Sequence, residues 1–127
     1  MDLLEVAVIV AAIVLAVLLL VVGIAHLITP GKVEPLVPEW WPAKRLTVYA
    51  SGVAEVVIGV GLLVPSTRPW AAGVAVLMFL VYTLVHLDDL RHTSGATRRS
   101  DTTGGVVTRG VVNLAYAGLA LFVCLGG

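Results

Sequence analysis

Four long apolar runs constrain this sequence more than any other feature. They extend over Val6–Ile28, Leu46–Val64, Trp70–Leu87 and Val106–Gly127. A helix of about 20 residues crosses the hydrocarbon core of a bilayer, and the four runs are close to that length. We therefore predict membrane-spanning helices over about 6–28, 46–64, 70–87 and 106–127. The expected fold is an all-α, integral membrane four-helix bundle with antiparallel neighbouring helices, forming one transmembrane domain over 1–127.

The composition supports a membrane location. The chain has 127 residues, of which 59% are hydrophobic and 13% charged, whereas soluble domains average about 45–50% and 25%. So short a chain has too little interior to hide this much apolar surface from water. The formal net charge is zero, so no strong field favours nucleic acid as a partner. The single cysteine, Cys124, excludes an intramolecular disulfide or a C-x-x-C pair, and we interpret it as a packing residue.

The positive charges predict the orientation. Arg68 stands alone between the second and third runs. The first and third loops carry all other basic residues, namely Lys32, Lys44, Arg45, Arg91, Arg98, Arg99 and Arg109. Because Lys and Arg accumulate on the cytoplasmic side, we expect these two loops in the cytoplasm and both termini outside.

Glu55 is the most informative polar residue. It lies nine residues past Leu46, about 13 Å along a helix. Charged residues at such depth usually face the interior of a bundle. Its neighbours on the helix surface are Ser51, Gly52, Ile58 and Gly59. Most of them are small, and small residues favour close helix packing. Either Glu55 serves a ligand or carries a proton, or it only fixes helix register through a hydrogen bond.

Further polar residues lie in the halves of the runs that would meet on one side of the membrane if the helix directions alternate. His26 and His86 lie near the ends of the first and third runs, whereas Asn113 lies near the start of the fourth. Pockets between bundle helices, mostly apolar with a few convergent polar groups, are common ligand sites. We therefore predict a pocket open to the cytoplasm, with Glu55 at its floor, formed by Glu55, His26, His86, Tyr49, Ser51, Gly52, Tyr82, Asn113 and Tyr116.

Each of these residues also has a purely structural interpretation. A histidine near a helix end often interacts with the helix dipole. Tyr82 and Tyr116 can be core rings, and Asn113 can bond a neighbouring helix. We expect no metal site, because His26 and His86 would lie about 10 Å from the depth of Glu55.

Part of the sequence resembles a known family. It contains Gly-Ile-Ala-His-Leu-Ile-Thr-Pro at 23–30 and Trp-Pro-Ala-Lys-Arg at 41–45. Tyr-Ala-Ser-Gly-Val-Ala-Glu follows at 49–55 and Gly-Val-Gly-Leu-Leu-Val-Pro at 59–65. The order and spacing of these segments resemble the DoxX-like family of small four-helix bacterial membrane proteins. The resemblance covers roughly half of the chain.

The resemblance implies a location in the bacterial cytoplasmic (inner) membrane and an association with membrane oxidoreductases, including quinone-reducing ones. The family has no agreed catalytic motif. Its Gly-x-x-His and Ser-Gly-x-x-Glu segments correspond here to His26 and to Ser51, Gly52 and Glu55, as pocket residues. The lone Cys124 departs from relatives that handle dithiols.

Three functions follow as expectations. The first is a redox-associated accessory protein whose pocket binds a quinone-like or other amphipathic molecule, with no intrinsic cofactor, and with electrons supplied by a membrane oxidoreductase partner. The second is a non-catalytic subunit that stabilises a larger membrane complex through its small-residue faces. The third is a small proton-coupled exporter. We find no nucleophile–base pair, phosphate loop or metal cluster, and so expect no autonomous enzyme. Membrane lipid is the expected neighbour, and a homo-oligomer remains an alternative.

Overall fold

The computed structural model describes residues 1–38, 40–89 and 103–126, and these segments are all-helical. Four helices are long and apolar enough to cross a membrane, as a membrane protein requires. They are α1 (Leu3–Ile28), α3 (Lys44–Leu63), α4 (Arg68–Asp89) and α5 (Thr103–Gly126). Between α1 and α3 lie the short helix α2 (Pro30–Val33) and a 3₁₀ turn, Glu34–Leu36. The basic residues Arg91, Arg98 and Arg99, on which the predicted orientation partly depends, lie outside the described residues.

The helix ends extend the predicted ones by two or three residues at most positions. α1 begins at Leu3 rather than Val6 because Asp2 and Glu5 form a capping box, in which each side chain accepts from the other's backbone N–H. α1 ends at Ile28, before Thr29-Pro30-Gly31, as predicted. Pro30 then starts α2, since a proline at the first helical position lacks only an N–H that has no partner there.

The turn between α3 and α4 is short because side chains bond the last carbonyl groups of α3. The Arg68 Nε–H donates to the Leu62 carbonyl at 2.8 Å, and the Thr67 hydroxyl donates to the Gly61 carbonyl at 2.8 Å. These carbonyls have no partner within the helix. The two helices are therefore linked closely.

One apolar core joins the four long helices. It is rich in alanine, which allows close helix packing, and consists of Val8, Ala11, Ala12, Leu15, Ala16, Leu19, Ile58, Leu62, Ala72, Ala75, Phe79, Ala117, Ala120 and Val123. Large apolar side chains also cover the outer faces, among them Val17, Val57, Leu77 and Leu114. Such faces suit contact with lipid, because helices satisfy their own backbone hydrogen bonds there.

Candidate functional site

A cavity of about 700 Å³ lies among the four long helices and the connection between α1 and α3. Its walls come from the C-terminal halves of α1 and α4 and from the N-terminal parts of α3, as far as Glu55, and of α5, as far as Tyr116. Most of the wall is aliphatic or aromatic. The volume is in the range of small-molecule sites. The polar side chains of the wall are His26, Thr47, Ser51, Glu55, Tyr82, His86, Asp88, Arg109, Asn113 and Tyr116.

Glu55 is the buried carboxyl group of this cavity. Its residue surface is only 1% exposed. The Tyr82 hydroxyl donates a hydrogen bond to Oε1 at 2.7 Å. The Nδ1 atom of His26 lies 3.6 Å from Oε2. Glu55 thus joins α3 to α4 by a hydrogen bond and lies beside α1.

His26 lies beside this cluster, but the hydrogen on its Nδ1 atom is bonded within α1. Its Nδ1 atom lies 2.7 Å from the Val22 carbonyl oxygen. Because a carbonyl only accepts, Nδ1 must carry the hydrogen. The Nδ1 hydrogen of His26 is therefore donated to the Val22 carbonyl and not to Glu55.

The short distance between His26 and Glu55 differs from the expected separation of about 10 Å in depth. His26 lies two residues before the end of α1, whereas Glu55 lies eleven residues after the start of α3. The two adjoining helix ends are therefore offset by about nine residues, or about 13 Å. The long connection between α1 and α3 permits this offset. No group of three His, Cys, Asp or Glu residues suited to a metal ion occurs among the described residues.

The second oxygen of Glu55 has no hydrogen-bond partner within the described part of the chain. Buried polar atoms are almost always bonded, and leaving one unbonded costs about 1–3 kcal/mol, more for charged groups. The cavity wall thus contains a carboxyl oxygen that a donor from a bound molecule would satisfy.

Glycine packing places Glu55 against α1. A Cβ atom on Gly52 would lie 2.7 Å from the His26 Cβ, and one on Gly23 would lie 2.8 Å from the Gly52 carbonyl oxygen. Only glycine fits at this separation, because a carbon–carbon contact is optimal at about 3.5–4.0 Å. The pair Gly23 and Gly52 therefore sets the distance between His26 and Glu55.

A second polar group lies one helical turn along α4 from Tyr82. The Arg109 Nε–H donates to the His86 Nδ1 at 3.4 Å. His86 then carries its hydrogen on Nε2 when neutral. The Asn113 amide donates to the Arg109 carbonyl at 2.8 Å. Four residues separate Tyr82 from His86, so this donor-rich group lies about 6 Å from the carboxyl level along the helix.

The connection between α1 and α3, residues 30–43 and here called the strap, is described except for residue 39. Its apolar side chains line the cavity, together with two tryptophans: Val33, Leu36, Val37, Pro38, Trp40 and Trp41. Within the described residues, side chains of the strap hydrogen-bond to α3 and α4 at three places. The Trp40 Nε1–H donates to Asp88 at 2.9 Å, the Trp41 Nε1–H donates to Thr47 at 2.8 Å, and Arg45 donates to Glu34 at 2.6 Å.

The bond from Arg45 lowers the pKa of the Glu34 carboxyl below its ordinary value of 4.5, with the positive charges of Arg45 and Lys44 adding to the effect. Glu34 therefore stays ionised at mildly acidic pH. The end of the strap where α3 begins also contains Ala43, whose φ of 54° is in the left-handed region that non-glycine residues seldom adopt. The strap thus has a defined conformation where it enters α3.

The structure brings together seven of the nine predicted site residues, namely His26, Ser51, Glu55, Tyr82, His86, Asn113 and Tyr116. Tyr49 and Gly52 are not among the described residues that line the cavity. Tyr49 is 39% exposed and lies beside Arg45. It is six residues from Glu55, about 120° away around the helix. Gly52 contributes by packing against α1 instead.

Other lining residues were not predicted as part of the site. Arg109, Asp88, Trp40 and Trp41 also line the cavity. The sequence contains one signal that Arg109 belongs to the site, because Arg109 precedes Asn113 by four residues and therefore shares its helix face.

Comparison with known proteins gives one family. The family model of the domain of unknown function DUF8561 matches residues 15–124. Because this match covers most of the chain, the chain belongs to that family. No curated protein and no solved structure matches it.

Proposed function

We propose that this member of the DUF8561 family is a membrane-embedded four-helix bundle that binds an amphipathic small molecule. One observation carries this proposal: in the wall of a largely apolar cavity, Oε2 of Glu55 has no hydrogen-bond partner among the described residues. A bound molecule with a polar head and an apolar tail would satisfy both parts of the site. Its head would meet Glu55, and its tail would pack along the aliphatic wall.

In this proposal the neighbouring helices run antiparallel. Support comes from the cavity wall, which combines late residues of α1 and α4 with early residues of α3 and α5. The contacts of Gly59 with Ala16 and Leu20, and of Gly52 with Gly23, run in opposite directions along α1 and α3. Loops one and three would face the cytoplasm of a bacterial cell and both termini the outside, which places the cavity in the cytoplasmic half of the membrane.

We further propose a redox-associated role, with a quinone-like molecule as the first ligand to examine. The resemblance to DoxX-like proteins supports this role, and a membrane oxidoreductase would exchange electrons with the ligand. The chain itself would bind and position the molecule. Glu55, His26 and His86 offer hydrogen-bonding atoms for its head within a wall that also contains Phe79 and Tyr116.

The small-residue faces support this proposal over a purely structural subunit. Gly52 and Gly59 of α3 pack against α1, while Ala117 and Ala120 of α5 belong to the core. These faces are therefore occupied within the chain, not presented to a partner.

Native mass spectrometry of the protein extracted in mild detergent tests the proposed function. We expect a lipophilic molecule to be released from the wild type. The Glu55→Ala variant should retain it about 10- to 100-fold less tightly, because hydrogen bonds to charged groups contribute about 1.5–3 kcal/mol.

Gly118→Ala is the matched control, because no described atom would lie within 4 Å of the added Cβ. This variant should retain the molecule like the wild type. Equal ligand content in all three proteins, at equal thermal stability, would contradict the proposed site.

A further inference from the structure

The hydrogen-bonding pattern around Glu55 restricts the chemistry of its ligand. Tyr82 donates to Oε1, and the proton on His26 Nδ1 is required by the Val22 carbonyl. The described contacts therefore give the carboxyl group one hydrogen-bond donor, the Tyr82 hydroxyl, because the Nδ1 hydrogen of His26 is donated to Val22. A donor at the carboxyl group stabilises its ionised form, because an ionised carboxylate can only accept hydrogen bonds.

The remaining atom of the group is Oε2, which is buried and has no bonded partner among the described residues. Its nearest charged or titratable neighbour on α1 is His26, at 3.6 Å. That separation is too long for a hydrogen bond. A hydrogen-bond donor on a molecule in the cavity that reaches Oε2 would therefore compete with no described partner.

We infer that the cavity selects amphipathic molecules whose head group donates a hydrogen bond, a hydroxyl or an amine, to Oε2 of Glu55. The inference rests on the proposed ligand site and specifies its chemistry. A head with acceptor atoms only, such as an ether, leaves Oε2 unbonded and is rejected. Sites that bond a substrate hydroxyl discriminate strongly against analogues that lack it, because their own polar group then stays unpaired.

Tyr82 is a positioning residue for the side chain at position 55, and this makes the selectivity testable. In a Glu55→Gln variant, the Tyr82 hydroxyl still donates, so it fixes the amide oxygen at the Oε1 position. The amide nitrogen then occupies the Oε2 position and presents two hydrogens to the cavity. A change of one atom thus converts the cavity-facing acceptor into a donor while it keeps the shape of the side chain.

The experiment compares three probes of equal chain length, dodecanol, dodecylamine and dodecyl methyl ether. Trp40 and Trp41 line the cavity, so their fluorescence reports binding. Trp70 is 79% exposed and is absent from the cavity wall, so a Trp70→Phe background removes its signal. All titrations use the full chain in lipid nanodiscs, with circular dichroism and thermal unfolding recorded for each variant.

In the Trp70→Phe background, the ether should bind about 10- to 100-fold more weakly than the better of the two donor probes, which is the affinity lost with about 1.5–3 kcal/mol. The alcohol and amine arms show which donor the site prefers. In Glu55→Gln the ether should gain affinity, and the preference for donors should disappear or reverse.

One further variant keeps the test decisive if Glu55→Gln unfolds, and a second extends it if Glu55→Gln folds. Tyr82→Phe retains the carboxylate and should retain the preference for donors. Tyr82→Phe combined with Glu55→Gln frees the amide to turn, so alcohol and ether should bind alike.

Equal affinity of the ether and the better of the two donor probes in the background protein would overturn the inference, as would an unchanged ranking in a folded Glu55→Gln variant. Both outcomes leave the cavity as a binding site. The absence of binding by all three probes would instead count against the proposed function itself.

Discussion

The close contact between α1 and α3 leads to the sharpest prediction, for the substitution Gly52→Ala. The added Cβ would lie 2.7 Å from the His26 Cβ and 2.9 Å from the Gly23 carbonyl oxygen. Both are fixed near the helix backbone, so neither can rotate away. Since carbon–carbon contacts are optimal at about 3.5–4.0 Å, the helices must separate by roughly 1 Å.

Two opposing terms set the size of the effect. Overpacking of a well-packed contact costs about 1–3 kcal/mol. Alanine regains up to about 1 kcal/mol of helix propensity relative to glycine. We therefore expect Gly52→Ala to lower the free energy of unfolding by about 1–2 kcal/mol. Separation of the helices also moves His26 away from Glu55, so ligand affinity should fall as well.

Gly118→Ala on α5 is the control for helix propensity. It adds the same methyl group where no described atom lies within 4 Å, so it should be neutral or stabilising by up to about 1 kcal/mol. Thermal unfolding of both variants in the same detergent, followed by circular dichroism, should separate their midpoints by roughly 10 °C. If Gly52→Ala is as stable as Gly118→Ala and binds ligand normally, the described contact between α1 and α3 is incorrect.

Three further predictions concern the strap and the carboxyl cluster. Because bonding to Arg45 lowers the pKa of Glu34, the strap bond should be fully present above the ordinary pKa of 4.5 and be lost as pH falls through the lowered value. The protection factors of strap amides, which correct for the intrinsic pH dependence of hydrogen exchange, should therefore fall in acid, and Glu34→Gln should remove that fall. Trp40→Phe removes the donor to Asp88, so exchange in the strap should accelerate up to about tenfold, as for a bond of about 1 kcal/mol; unchanged exchange would mean that this bond does not hold the strap. Tyr82→Phe leaves a second buried carboxyl oxygen unbonded and should lower the free energy of unfolding by about 1.5–3 kcal/mol, whereas unchanged thermal unfolding would argue against the bond to Glu55.

The spans were predictable from the sequence because bilayer thickness sets the length of an apolar helix. Their ends were less so, since Asp2 extends α1 through a local capping box that hydropathy does not reveal. Helical periodicity also predicted that Ser51 shares a face with Glu55. The same periodicity places Tyr49 about 120° from Glu55 around the helix, although Tyr49 was predicted as part of the pocket.

The offset between α1 and α3 was not predictable from the sequence. Counting the depth of a residue in the membrane along its apolar run assumes that the adjoining ends of neighbouring runs are level. That assumption separates His26 from Glu55. The strap allows the adjoining ends to lie at different depths, because a connection of this length lets the N-terminal end of α3 extend past the C-terminal end of α1. Trp40 and Asp88 are 48 positions apart, so their contact depends on the tertiary fold and has no local signal.

The central claim is that Glu55 faces an internal ligand cavity. Photolabelling in lipid nanodiscs with a long-chain alcohol that carries an alkyl diazirine near its head tests this claim most directly. Val57 lies two residues away at similar depth and is 64% exposed, so it reports contact with bulk lipid. We predict a saturable adduct on Glu55 or Tyr82 that excess dodecanol prevents, while labelling at Val57 stays unaffected by the competitor. Labelling confined to Val57 and other outer-face residues, with none in the cavity, would contradict the account.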